Sequence, residues 1–300
     1  MTQVVQDPGE TPLKVHSLID RPVAALGFLE QSLLFAELSM IAYNDAAEAT
    51  CAAAAIGFPE TTAFDYDGSQ AYRFLNRYDC VIACRGTESH EWNDLRADVN
   101  AASVLAETVG KVHRGFKREV DDLWPELETA LTGNDHPLWF CGHSLGGAMA
   151  TISAARCFLS HIASNPAGLF SYGSPRVGNK RYVHHVDLSH YRWVHNNDVV
   201  TRVPPVWLGY RHAGEECYLD HRGQVRQLSA EDKRWDRWRG FLLGLVDWRI
   251  DPFADHSIHR YIERLAAAVL AQRAAAGNAR QGPPPPLSRC VLGAGKAPRA

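Results

Sequence analysis

The chain has 300 residues, 46% of them hydrophobic and 22% charged, with a formal net charge of −3 at pH 7. A near-neutral balance with both signs interspersed excludes a basic nucleic-acid-binding surface. No apolar run approaches the roughly 18 residues that cross a bilayer, so no transmembrane segment is expected. Seven cysteines (Cys51, Cys80, Cys84, Cys141, Cys157, Cys217 and Cys290) form no C-x-x-C pair and read as free thiols of a reducing compartment. Met1 to Glu10 has neither the basic start nor the apolar core of a secretory signal. Both observations lead to the expectation of a cytoplasmic protein.

Residues 1–22 are polar and carry Pro8, Pro12 and Pro22, which reads as an arm over the surface. From Phe28 to Tyr43 the apolar positions fall near helical spacing, predicting an amphipathic helix, and Ala46 to Ala55 predicts a short second one. Gln70–Leu75 and Asp79–Cys84 read as strands joined by a tight turn; the second is almost wholly apolar, as a strand buried on both faces should be. A polar loop runs from Glu88 to about Thr108. Arg114–Leu131 predicts a helix with Phe116, Val120, Leu123, Trp124, Leu127 and Leu131 on one face and a bend at Pro125.

The apolar run Leu138-Trp139-Phe140-Cys141 then enters Gly142-His143-Ser144-Leu145-Gly146, followed by an alanine-rich helical pattern from Ala148 to about Leu159. This is G-x-S-x-G on a strand-to-helix turn, which would lift Ser144 Oγ above the strand end. The Leu145 N–H, at the start of the helix, would point where an oxyanion forms. Leu169–Tyr172 and Tyr191–His195 are the next strands, ended by Gly173-Ser174-Pro175 and Asn196-Asn197-Asp198. Glu215–Leu219 and Gln224–Leu228 read as a hairpin, Trp235–Ile250 as a helix with an aromatic face, and His256 to about Ala275 as a closing helix. The tail from Gly277, with four prolines at 283–286, is compositionally disordered. Strands alternating with helices from about residue 70 to 200 predict one α/β domain over residues 23–276, its sheet mostly parallel and covered on both faces.

A serine nucleophile on such a sheet needs an acid and then a histidine at later strand ends. Asp198 directly follows a strand, although an Asx turn would use the same residue; Asp187 is its rival. The later histidines are His212, His221, His256 and His259. His221 and His212 read as solvated, His256 opens the last helix, and His259 lies one turn on. The chemistry would have His256 Nε2 take the serine proton while Asp198 holds Nδ1–H. The second oxyanion donor would be the Thr87 N–H, where Cys84-Arg85-Gly86-Thr87 leaves the strongest strand. His143 reads as orienting the elbow, and His184-His185 is too little for a metal site.

With these residues in view the chain resembles the class 3, fungal-type triacylglycerol lipases of the α/β-hydrolase superfamily. The resemblance is carried, in order, by Arg85-Gly86-Thr87, Trp92 with Asp94, Leu95 and Asp98, Val112 to Phe116, Gly142 to Ala148, Tyr172 to Asn179, Asn196 to Pro204, and His256 to Tyr261. It implies an α/β-hydrolase fold and an acyl-ester hydrolase acting on fatty-acid esters. Ser144, Asp198 and His256 would form the triad, Thr87 and Leu145 the oxyanion hole, and no cofactor or metal would be needed. It favours His256 over His259 and Asp198 over Asp187. A phospholipase A1, a short-chain carboxylesterase and a catalytically silent lipid or ligand receptor are the alternatives. The implied partners are a lipid or ester substrate and a transient lipid interface; oligomeric state is not implied. Segments 88–110 and 235–250 are the lid candidates.

Overall fold

The computed structural model describes residues 15–86, 102–160, 162, 165–185, 188–226, 232 and 256–280. Its framework is a sheet whose strands divide their side chains between two cores. β1 (Glu60–Tyr66), β2 (Ser69–Leu75) and β3 (Cys80–Cys84) form an antiparallel meander. β6 (Leu138–His143), β7 (Pro166–Tyr172), β9 (His190–His195) and β11 (Glu215–Leu219) continue the sheet in parallel from β3, and β12 (Val225–Arg226) closes it antiparallel. β1 was not anticipated: Phe64 alone is buried in it, so the apolar alternation is missing. A local signal did exist. Asp67-Gly68 joins β1 to β2 with φ of +49° and +89°, the aspartate-glycine turn that matches strand twist.

Because strand side chains alternate faces, neighbours in β3 and β6 enter different cores. Val81, Ala83, Trp139 and Cys141 lie in the first with Phe170, Tyr172 and Trp193. Cys80, Ile82, Leu138 and Phe140 lie in the second with Leu169. The first is covered by α1 (Phe28–Ile41) and the C-terminal α6 (Ile258–Arg280), and the second by α3 (Arg114–Leu131) and α4 (Leu145–Cys157). Each large apolar side chain withdrawn this way contributes roughly 1.5–3 kcal/mol. α2 (Ala46–Ala55) begins at Asp45, whose carboxylate accepts from the Ala47 and Glu48 N–H groups.

Three expectations change here. α1 is not amphipathic: every residue from Ser32 to Ile41 is buried, because the sheet takes one side while α6 and the incoming chain take others. That incoming chain is part of the expected arm over the surface, yet Ile19 is buried and its N–H donates to Ile56 O, and the His16 and Ser17 N–H groups donate to the buried Glu37 carboxylate. Burial pushes the Glu37 carboxyl upward against those two bonds. At the other end α6 runs to Arg280, so residues 277–280 of the expected disordered tail are helical, while 281–300 lie outside the described residues. α3 passes through Pro125 as a helix.

A second, small sheet was also unforeseen. Its order is β10 (Tyr210–Arg211), β8 (Gly178–Asn179), β5 (Lys111–His113) and β4 (Ser103–Leu105), pieces too short to carry a periodic signal. The four-residue helix α5 (Lys180–Val183) follows β8 directly.

Candidate active site

The order β3-β6-β7-β9 brings four chain reversals side by side at the strands' carboxyl ends. Ser144 leaves β6 with φ +58° and ψ −129°, a conformation an L-residue adopts at a cost on the order of 1–3 kcal/mol. The turn survives because its neighbours have no side chains: a Cβ on Gly142 would collide with Gly146 O, and one on Gly146 with Cys84 O. Ser144 N–H donates to Tyr172 O at 2.9 Å, tying the elbow to the next strand. The serine is not exposed as the elbow pattern alone implied; it is buried at 1% exposure.

His256, immediately before α6, faces it. Its Nε2 is 2.9 Å from Ser144 Oγ, and its Nδ1 is 3.0 Å from both oxygens of Asp198. A carboxylate can only accept, so Nδ1 carries the proton and Nε2 presents its lone pair to the serine hydroxyl. Asp198, wholly buried, leaves β9 through Asn196-Asn197. Its Oδ1 accepts from Val200 N–H at 3.0 Å, so the Asx-turn reading and the triad reading are both realised by one residue. Its Oδ2 accepts from the Tyr261 hydroxyl at 2.7 Å. Tyr261 in turn accepts from His195 N–H at 3.0 Å, linking α6 to the strand that positions the acid.

His143 braces the array from behind. Its Nε2 lies 2.6 Å from the His256 carbonyl oxygen and its Nδ1 2.9 Å from the Tyr43 hydroxyl. Burial first, and then the neighbouring His256, hold it well below the ordinary imidazole range, so it is neutral. A neutral ring facing a carbonyl carries its proton on Nε2 and accepts from Tyr43 on Nδ1. Gly173, with φ +59° just after β7, completes the fit: a Cβ there would stand 2.7 Å from Asp198 Oδ2 and 2.8 Å from His256 Nδ1.

Ser144, Asp198 and His256 are thus brought together, and it is the His256 ring, not that of His259 on α6, that meets the serine. Leu145 is the first residue of α4, where helical N–H groups have no intrahelical acceptor. Thr87 lies outside the described residues, as do Asp187, Trp92 to Asp98 and the segment 235–250. Gly86, just before Thr87, passes so close that a Cβ on it would stand 3.3 Å from Ser144 Cβ. His212 was expected to be solvated. Its Nε2 instead donates to Thr201 O at 2.7 Å, and burial holds it well below the ordinary range, so it pins the loop after Asp198. Tyr261 entered only as the last residue of the histidine segment, with no role given to it, and Tyr43 was not singled out. Among the described residues, no group of three or more His, Cys, Asp or Glu side chains could hold a metal ion.

The fold is the α/β-hydrolase fold, and a serine, a histidine and an aspartate meet at its strand ends. Residues 81–207 match the family described as Lipase (class 3). It is 37% identical over 117 residues to secreted mono- and diacylglycerol lipase 1 of Fusarium solani, covering 36% of this chain and 34% of that protein. It is 31% identical over 180 residues to secreted mono- and diacylglycerol lipase A of Penicillium camembertii, covering 57% of this chain and 58% of that one. The chain therefore aligns with about a third of the first relative's length and somewhat over half of the second's. The Rhizomucor miehei triacylglyceride lipase structure superposes with a TM-score of 0.56 over 64% of this chain and 80% of that one, at 22% identity, a likeness of fold. Both sequence relatives are named as secreted, which overturns the expectation of a cytoplasmic protein drawn from the N-terminus and the cysteines.

Proposed function

We propose that the chain hydrolyses carboxylic esters of fatty acids through an acyl-serine intermediate, with acylglycerols as the substrate class. The observation that carries this reading is the continuous line Ser144 Oγ, His256 Nε2, His256 Nδ1, Asp198 Oδ, with steps of 2.9 and 3.0 Å. In it, Ser144 Oγ attacks the ester carbonyl as His256 Nε2 takes its proton, and Asp198 steadies the imidazolium through Nδ1–H. The N–H groups of Leu145 and Thr87 receive the negative charge that develops on the carbonyl oxygen. His256 then gives the proton to the departing alcohol, and water, activated by the same nitrogen, releases the fatty acid. Tyr261, Tyr43, His143 and Gly173 act as positioning residues.

The hydrolase domain is read as residues 23–276, its last helix running on to Arg280. The names of these two relatives support mono- and diacylglycerols ahead of other lipid esters. A p-nitrophenyl ester series, an acylglycerol emulsion and phospholipid, each with wild type and Ser144→Ala, test the reading. The variant should lose on the order of 10⁶ in kcat. Wild-type turnover by Ser144→Ala, or no labelling of Ser144 by a fluorophosphonate, would overturn it; preference for phospholipid or for short soluble esters would move the substrate class.

A further inference from the structure

Downstream of Asp198 the chain makes a 3-10 turn, Val206-Trp207-Leu208, whose side chains are 46%, 82% and 47% exposed. Single exposed apolar residues are ordinary, but three in a row on a rigid turn are not. This turn is pinned from both sides. The Arg176 guanidinium donates to the Arg202 and Pro204 carbonyls, and that of Arg211 donates to Val206 O at 2.9 Å. Gly209 closes it at φ +87°, and β10 begins at Tyr210.

The register of the small sheet then decides what lies beside it. Tyr210 pairs with Asn179, the residue before Lys180 and Arg181 of α5, so the exposed turn and that basic helix lead off from the same end of one antiparallel strand pair. Lys180, Arg181 and Arg211 are exposed, and none is paired with a carboxylate among the described residues. Lys180 and Arg181 also line an open groove with Val109, His184 and His185. Local positive charge is thus gathered on a chain whose net charge is −3.

We propose that the Val206–Leu208 turn with Lys180, Arg181 and Arg211 is a docking surface for an anionic lipid bilayer. Trp207 enters the headgroup region, flanked by Val206 and Leu208, while the basic side chains meet lipid phosphates. Charge complementarity selects this occupant. A second copy of the chain, docked symmetrically, would set the same cations against one another. The surface extends the hydrolase reading by locating where substrate is met, eight residues downstream of Asp198, but its test does not depend on turnover.

Ser144→Ala protein, which leaves lipid intact, is sedimented with phosphatidylcholine vesicles and with vesicles containing phosphatidylglycerol. Tighter binding to the second, weakened by added salt, is expected. Adding Trp207→Ala should weaken it about tenfold, and Lys180→Ala with Arg181→Ala roughly 25-fold, at about fivefold per cation. With Ser144 intact, both variants should keep wild-type turnover of soluble p-nitrophenyl butyrate. Unchanged vesicle binding by both, or equal wild-type binding to the two vesicle types, overturns the proposal. So does a Trp207→Ala change that dissociates a dimer while vesicle binding persists. Failure of wild-type ester turnover would instead strike the hydrolase reading alone.

Discussion

Replacing Tyr261 by Phe removes one oxygen and almost no volume, so its consequences isolate a hydrogen-bond junction. That hydroxyl donates to Asp198 Oδ2 at 2.7 Å and accepts from His195 N–H at 3.0 Å, and the ring is fully buried. Without it a buried N–H loses its acceptor and a buried carboxylate loses a charge-assisted bond. Together these cost about 2–4 kcal/mol, equivalent to a fall in Tm of roughly 4–8 °C. Asp198 keeps the Val200 N–H at 3.0 Å and the imidazole, so the array is loosened and not dismantled. The expected loss in kcat/KM on a soluble ester is therefore about tenfold. Calorimetry and soluble-ester kinetics of both proteins measure these quantities. An unchanged Tm together with wild-type kcat/KM would refute the role given to Tyr261.

Gly173→Ala should lower kcat on a soluble ester by about 10³-fold or more, because its methyl would occupy the space of Asp198 Oδ2 and His256 Nδ1; activity within about threefold of wild type would contradict this. His190 is buried against Ser171 Oγ at 2.8 Å, and burial, then Arg192, bring it from 6.5 down to about 3. The unfolded chain takes up that proton first, so stability falls as pH drops from 6.5 toward 3, by about 3 kcal/mol at about pH 4.5. In urea unfolding, His190→Gln should lose less stability than wild type over that range, and an equal loss would argue against it. Burial pushes the Cys80, Cys141 and Cys157 thiols up to about 12 and Cys84 further still, while Cys51 is exposed. Iodoacetamide should therefore label Cys51 well ahead of these four in folded protein, by peptide mapping; comparable rates would disprove their burial.

Local chemistry made the elbow legible. Only glycine fits two residues either side of a serine on that turn, so Gly142 and Gly146 advertise the conformation in one short stretch. The apolar runs of β3 and β6 were equally plain, since strands buried on both faces leave no polar alternation. Edge elements were not: β1 buries one side chain, and β8 and β10 have two residues each. Position in the chain also named Asp198 and His256 as candidates, but left Asp187 and His259 beside them until the family resemblance favoured one of each.

What the sequence determined by itself is whatever rests on neighbours along the chain: the strand-turn-helix at Ser144, the Asx turn at Asp198, the helices and the central strands. What only the tertiary structure decided rests on contacts across it. Tyr43 reaches His143 across 100 residues, and Tyr261 reaches Asp198 across 63. Those bonds, the burial of Ser144, the docking of His16 and Ser17 on Glu37, and the pairing of Tyr210 with Asn179 leave no periodicity to read. Each is set by which strand ends lie side by side, and β-sheet order is a property of the whole chain.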